Sequence, residues 1–218
     1  MNLPTMNFRK SVFAAMLISV AAYAQNPITA DSPYQTHYVS NLANADSVIN
    51  LSNTGAIGAG LGSGFTANVT GAICANVYAF AADEEIVSCC SCPVTPNGVV
   101  GLSVQKDILA NTLSGRAAPT SLAIALVATA PVAGSCANSA ATLGTLVPGM
   151  TAWLHAEAAP AAGTCTGGTE TAFTPSTLNA LEFNRLTNLC AFIQAQGSTF
   201  GICNSCELTG LGAASSNQ

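Results

Sequence analysis

Residues 73–104 read ICANVYAFAADEEIVSCCSCPVTPNGVVGLSV and contain four of the nine cysteines of the 218-residue chain. Side chains alternate between two faces along 73–80 and again along 85–92, the period expected of β-strands. The Thr-Pro-Asn-Gly sequence at 95–98 predicts a tight turn, because proline presets φ while Asn and Gly tolerate a positive φ. Beyond the turn a third strand is predicted, in which three apolar residues alternate: Val100, Leu102 and Val104. The stretch therefore predicts a β-meander.

The same alternation separates the neighbouring cysteines of the second strand. It places Cys90 and Cys92 on one face together with Ile86 and Ser88, and it places Cys89 on the opposite face. In a regular strand, adjacent Cys89 and Cys90 must therefore bond to different partners.

A resemblance is carried by two strings of residues. ICANVYAFAADEEIVSCCSCPVTPNG (73–98) and LTNLCAFIQAQGSTFGICNSC (186–206) resemble a family of secreted, cysteine-rich bacterial proteins, acidobacterial in type, marked by a CCSCPVTPNG motif. The resemblance covers most of the chain after its N-terminal segment. It implies a secreted location, and it implies no activity, ligand or catalytic residue.

The N-terminal residues 1–24 have the pattern of an export signal. Arg9 and Lys10 precede an apolar run at 11–22, and Ala-Tyr-Ala at 22–24 stands directly before Gln25. The apolar run is shorter than the roughly 20 residues that a membrane-spanning helix needs. We therefore expect cleavage after Ala24, no membrane span in the mature chain, and an extracellular or periplasmic location.

The charge balance excludes one class of partner. Removal of Arg9 and Lys10 leaves three basic residues against ten acidic ones, a net charge of −7. Three cations cannot neutralise a phosphate backbone, so no nucleic-acid binding is expected.

The remaining chain adds further strands and indicates the fold class. Short β-like runs occur at 37–39, 47–51 and 150–157, glycine-rich loops are predicted at 55–64 and 163–169, and the uncharged stretch 117–134 predicts a central strand buried on both faces. We expect one domain over 25–209, an antiparallel β-sandwich, loosely immunoglobulin-like, with about seven to nine strands, followed by a flexible tail at 210–218.

One helix is predicted at 175–196. Thr174 suits the N-cap, Pro175 suits the first helical position, and Phe173 with Leu178 forms a hydrophobic staple. Leucine and isoleucine then recur at helical spacing, and Cys190 lies beside them. The apolar face is expected to pack on the sheet.

The cysteines predict a disulfide framework with one thiol left over, because their number is odd and the chain carries an export signal. The nine candidates are Cys74, Cys89, Cys90, Cys92, Cys136, Cys165, Cys190, Cys203 and Cys206. We expect Cys136 to pair with Cys165, since both flank the 150–157 strand. We also expect the C-terminal segment to be joined to the meander through the Cys89/Cys90/Cys92 and Cys203/Cys206 groups, with Cys190 contributing from the helix.

Two other interpretations of the cysteines stay open. A metal site could use four thiolates, from Cys90, Cys92, Cys203 and Cys206. Cys203 and Cys206 could also form a redox pair, although no helix of a βαβ unit follows them.

Catalytic chemistry has little support in the sequence. The only histidines are His37 and His155, and no G-x-S-x-G motif accompanies them. No catalytic residue and no cofactor are predicted. The expected function is that of an exported, non-enzymatic structural or cell-surface protein that associates with itself or with cell-envelope material. The alternative is an extracellular metal-binding protein or enzyme that uses the cysteine cluster.

Overall fold

The structure is a computed structural model that describes residues 32–58, 70–112, 118–134, 136–137, 143–157, 168–196 and 200–204. The predicted export signal at 1–24 and the predicted tail at 210–218 lie outside the described residues. So do most of the glycine-rich loop predicted at 55–64 and residues 163–167 of the second loop.

Nine strands and one long helix make up the described chain. In chain order they are β1 (Tyr34–Val39), β2 (Ser47–Asn53), β3 (Ile73–Phe80), β4 (Ile86–Val94), β5 (Val99–Ser103), β6 (Leu122–Thr129), β7 (Met150–Glu157), β8 (Gly168–Ala172), β9 (Thr174–Pro175) and α1 (Ala180–Ala195). Within these ranges no helix has the length and apolar character needed to cross a bilayer.

The strands form two sheets. Sheet A has the spatial order β4-β3-β6-β1-β9, and sheet B has the order β5-β2-β7-β8. Every pairing between these strands is antiparallel. The predicted class is confirmed: a mainly antiparallel β protein in a two-sheet, sandwich-like arrangement with a helix near the C-terminus. The likeness to immunoglobulin domains stays a prediction.

The main core lies between the two sheets. Sheet A and sheet B each supply alternate apolar side chains to it, among them Val77, Leu126, Ile49, Leu102 and Met150, each of which is fully buried. Strand alternation accounts for this set, because every second residue of each strand points to the same face.

A second core lies on the opposite face of sheet A, beneath the helix. It combines strand residues with residues of α1: Tyr78, Phe80, Ile86, Cys89, Ala125, Val127, Leu186, Cys190 and Ile193. The part of sheet A beneath the helix is thus covered on both faces, and β3 is buried along its whole length. The prediction of a doubly buried central strand in 117–134 is confirmed by β6, which lies between β3 and β1.

The predicted helix start at Pro175 is wrong. Thr174 and Pro175 form β9, which pairs with Gln35 and Thr36 of β1. Phe173 is buried in the main core, whereas Leu178 packs against the core beneath the helix. The two side chains therefore do not form the predicted hydrophobic staple. The helix instead begins after Asn179, whose side-chain oxygen accepts from the Glu182 amide at 2.9 Å.

Two side chains at the start of β4, Ile86 and Val87, lie on the faces opposite to those predicted from strand alternation. Ile86 packs beneath the helix with Cys89, whereas Val87 lies in the main core with Cys90. The cause is a β-bulge: Ala79 opposes Ser88, but Phe80 opposes Ile86, so one residue of β4 is unpaired. The extra residue reverses the alternation at the start of the strand.

Three predicted boundaries also shift. β1 begins at Tyr34 and not at His37. Gly168 and Thr169, predicted as loop, belong to β8. Val104, predicted to extend β5, opens a π-helical turn over Val104–Ile108. The Ser103 hydroxyl caps this turn by accepting from the Lys106 amide at 2.8 Å, which ends the strand.

Candidate functional site

Cys89 and Cys90 point to opposite faces of β4. Cys89 is fully buried in the core beneath the helix, and Cys90 is 4% exposed in the core between the sheets. Their separation follows from the alternation of a strand, as the sequence predicted. Two adjacent residues of one strand therefore lie in the two different cores, one on each face of sheet A.

The Cys89–Cys190 disulfide fixes the helix to sheet A. The two Cα atoms are 5.9 Å apart, and 101 residues separate them along the chain. Cys190 lies on the buried face of α1 with Leu186 and Ile193, and all three are fully buried. The bond thus lies within the apolar contact that holds the helix.

The Cys90–Cys203 disulfide fixes the segment that follows the helix. This segment runs beside the free edge of β4: the Cys89 amide donates to the Gly201 carbonyl at 2.8 Å, and Ile202 bridges Cys89 in parallel. Cys203 then enters the main core, fully buried, with its Cα 5.5 Å from that of Cys90. The expected covalent connection between the meander and the C-terminal segment is present in these two bonds.

The predicted Cys136–Cys165 pair is wrong, because Cys136 bonds to Cys74 at a Cα–Cα distance of 5.3 Å. The cause is the strand order. β3 pairs with β6 so that Cys74 opposes Thr129, and the chain that leaves β6 therefore starts beside Cys74. Cys165 lies outside the described residues.

The remaining described cysteine is Cys92, which is also disulfide-bonded. Its partner lies outside the described residues, as does Cys206. Since Cys90 and Cys203 are bonded to each other, the four thiolates of the predicted metal alternative are not present together in this structure. Among the residues that the structure describes, no cluster of three or more His, Cys, Asp or Glu side chains could hold a metal ion.

A buried polar network next to these bonds was not predicted. The Asn76 side-chain amide donates to the Val127 carbonyl at 2.8 Å and to Thr129 Oγ1 at 3.0 Å, and its oxygen accepts from the Ser91 hydroxyl at 2.7 Å. Asn76 is fully buried. A buried amide must satisfy its hydrogen bonds within the protein. The bonds of Asn76 on β3 therefore go to neighbouring β6 and β4, and they link the three strands through side chains. The only signal in the sequence is an asparagine inside an otherwise apolar strand.

Tyr78 is a second polar group in the helix-side core. Its side chain is fully buried, and burial raises its pKa far above the ordinary range for tyrosine. Among the described residues its hydroxyl has no hydrogen-bond partner. The ring acts as an apolar support for the helix.

The two histidines lie apart. His37 Nε2 is 3.1 Å from Thr171 Oγ1, and its ring packs against Phe173 with the centroids 4.9 Å apart. His155 lies 3.7 Å from the carboxylate of Glu170, its cross-strand partner. Thr171 and Glu170 are adjacent in β8, so the two histidines contact opposite faces of that strand.

His37 should make the stability depend on pH. Burial lowers the pKa of His37 below its ordinary value of 6.5. Between the two pKa values the unfolded chain binds more protons than the folded chain, so stability is lost as the pH falls below about 6.5. We expect His37→Gln to reduce this loss, which is measured as the difference in free energy of unfolding in urea between about pH 7.5 and about pH 5. Equal pH dependence in the parent and the His37→Gln variant would contradict the assignment.

The described residues form a covalent clamp. Its parts are the strand β4, the helix and the segment 200–203, joined by Cys89–Cys190 and Cys90–Cys203. Comparison of this chain with protein-family models, with curated proteins and with solved structures finds no match in any of the three.

Proposed function

We propose that this chain is an exported, non-enzymatic structural protein of the cell surface or the extracellular space, held together by disulfides. The observation that carries the proposal is the clamp at β4, where two adjacent cysteines fix separate parts of the chain to opposite faces of one strand. The N-terminal pattern at 1–24 supports export, in agreement with what the resemblance to secreted bacterial proteins implies.

The burial of the disulfides supports a role in durability. Cys74, Cys89, Cys190 and Cys203 are at most 1% exposed, so a thiolate has little access for exchange. Such bonds form and persist in oxidising compartments. Buried crosslinks stabilise a fold, whereas redox catalysis needs an accessible sulfur.

The low charge of the chain supports a role in association. Charged residues make up 7% of the sequence, and hydrophobic ones make up 50%. Large apolar side chains are left exposed, among them Leu181 at 83% and Phe192 at 60%, both on α1. Copies of the chain or envelope material are the proposed partners, since exposed apolar surface marks contact sites.

The test is expression of the full chain, with its own N-terminus, in a bacterial host. We expect recovery outside the cytoplasm with Gln25 as the first residue. Thiol titration of the denatured protein should give one thiol per chain, because three described disulfides and the bonded Cys92 with its partner account for eight of nine cysteines. An Ala24→Leu variant is the matched control and should be processed poorly, since signal cleavage needs a small residue there.

Two results would contradict the proposal. Recovery in the cytoplasm with reduced cysteines would exclude export. Several thiols protected by bound zinc or iron would favour the metal-binding alternative instead.

A further inference from the structure

A groove of about 820 Å³ opens on the helix-side face of sheet A, beside the N-terminal end of α1. Its floor is formed by small residues of β6, Ala123 and Ala125. β1 forms one wall, and the other wall combines the end of β3 with the first turns of the helix. Its volume is in the range of ligand sites in proteins.

Two aromatic residues flank the floor in a single cross-strand row. Tyr38 of β1 and Phe80 of β3 both oppose Ala123. Adjacent strands are about 4.8 Å apart, so the two rings stand on strands about 10 Å apart with only a methyl group between them. Tyr38 is 64% exposed, whereas Phe80 is 8% exposed. Tyr38 therefore offers an open aromatic face to a ligand on the floor.

A preorganised charged pair lies on the Phe80 side. Arg185 donates from Nε and Nη2 to the two carboxylate oxygens of Glu182, at 2.8 and 2.9 Å. The guanidinium also lies over the Phe80 ring, 5.0 Å from its centroid. These contacts fix the orientation of the Arg185 side chain, which remains 49% exposed and so accessible to a ligand. The bidentate pair uses two of the five N–H donors of arginine and leaves others directed to the surroundings.

The charges of the groove indicate a neutral ligand. Its charged lining residues are Glu84, Glu182 and Arg185, and the whole chain has a net charge of −5. An anion would be repelled by the two carboxylates. A cation would compete with Arg185, which already occupies the aromatic face of Phe80.

The hydrogen-bonding groups indicate hydroxyls. A hydroxyl both donates and accepts, so neighbouring hydroxyls of one ligand can serve the Glu182 carboxylate and the Arg185 donors together. A proline-rich peptide could also pack on Tyr38, but it supplies carbonyls and few N–H donors, so the acceptor capacity that Glu182 keeps beside its two bonds from Arg185 would receive no donor from the ligand.

We propose that this groove binds a neutral saccharide, whose ring packs on Tyr38 and whose hydroxyls bond to Glu182 and Arg185. The inference goes beyond the proposed structural function by naming a ligand class. It does not depend on export, because binding is a property of the folded, oxidised chain.

The test is titration of the purified, oxidised chain with neutral hexasaccharides of glucose, mannose and N-acetylglucosamine, followed by calorimetry and NMR. We expect at least one of them to bind. Tyr38→Ala and Arg185→Ala should each weaken that binding about tenfold or more. Trp153→Ala is the matched control, since Trp153 is 39% exposed on sheet B, outside the groove, and its loss should change nothing.

Circular dichroism and melting of each variant separate lost binding from lost folding. The proposal is overturned if no hexasaccharide binds at about 10 mM. It is equally overturned if Trp153→Ala abolishes binding while Tyr38→Ala does not, or if only a proline-rich peptide or an anionic glycan binds. Since this assay uses purified protein, its failure is distinct from a failure of the export experiment.

Discussion

Replacing Cys90 and Cys203 together by alanine should lower the free energy of unfolding by about 3 kcal/mol under oxidising conditions. The two residues are 113 apart in sequence, but the Cys89–Cys190 bond remains in the variant and already joins the same two regions. The Cys90–Cys203 bond therefore closes only the short loop that runs from Cys190 to Cys203, and its entropy is that of a loop of roughly 15 residues. Removing both avoids a leftover thiol that could exchange with the neighbouring cysteines.

Denaturant unfolding with and without dithiothreitol measures this effect. Cys74→Ala with Cys136→Ala is the comparison, and it should cost somewhat more, about 4 kcal/mol, because its residues are 62 apart and no described bond joins positions next to both of them. Once all bonds are reduced, the difference between parent and variants should largely disappear. An equal loss in both conditions would show that side-chain packing, and not the crosslink, supplies the stability.

Leu186→Ala should lower the free energy of unfolding by about 2 to 4 kcal/mol. Leu186 is fully buried between α1 and sheet A, in the cluster that contains Tyr78 and Cys190. Shortening it removes buried apolar area and leaves a cavity beneath the helix. Urea unfolding of the oxidised protein checks the value.

Leu181→Ala is the matched control on the same helix. Leu181 is 83% exposed, so its replacement should change the free energy by no more than about 0.5 kcal/mol. Equal losses for the two variants would mean that the helix does not depend on its contact with the sheet.

The strands of the meander and of β7 could be predicted from sequence because their signals are local. β3 and β7 have the predicted bounds, since alternation and turn residues define both ends. The turn after β4 forms as expected: Gly98 donates to the Thr95 carbonyl at 2.8 Å, and Asn97 has a φ of 61°.

The helix start could not be predicted because a distant contact overrides a local rule. Thr174 and Pro175 satisfy the preferences for a helix N-terminus, yet pairing with β1 and burial of Phe173 between the sheets hold them extended. Asn179 with Glu182 supplies a second cap five residues later. Local patterns cannot rank two caps when tertiary packing decides between them.

The disulfide partners and the groove depend on strand order, which leaves no local trace. Cys74 meets Cys136 only because β6, far along the chain, pairs with β3. Tyr38, Phe80 and Arg185 come from three separate elements. They share a groove only because β1 and β3 both pair with β6 and the helix lies beside them. The opposite directions of Cys89 and Cys90, in contrast, follow from one strand and were predictable.

The clamp at β4 also imposes a temporal order on a chain that is synthesised from its N-terminus. Cys74, Cys89, Cys90 and Cys92 all precede Cys190 and Cys203, by 101 and 113 residues for the two bonded pairs. Until the last part of the chain has emerged, the four early thiols can combine only with one another or with Cys136 and Cys165. Any early bond that Cys89 or Cys90 forms has to be exchanged before its native bond can form, a process that takes seconds to hours without an isomerase. The two bonds of the clamp can therefore close only after the C-terminal segment is available, and the helix is covalently fixed to the sheet only at that late step.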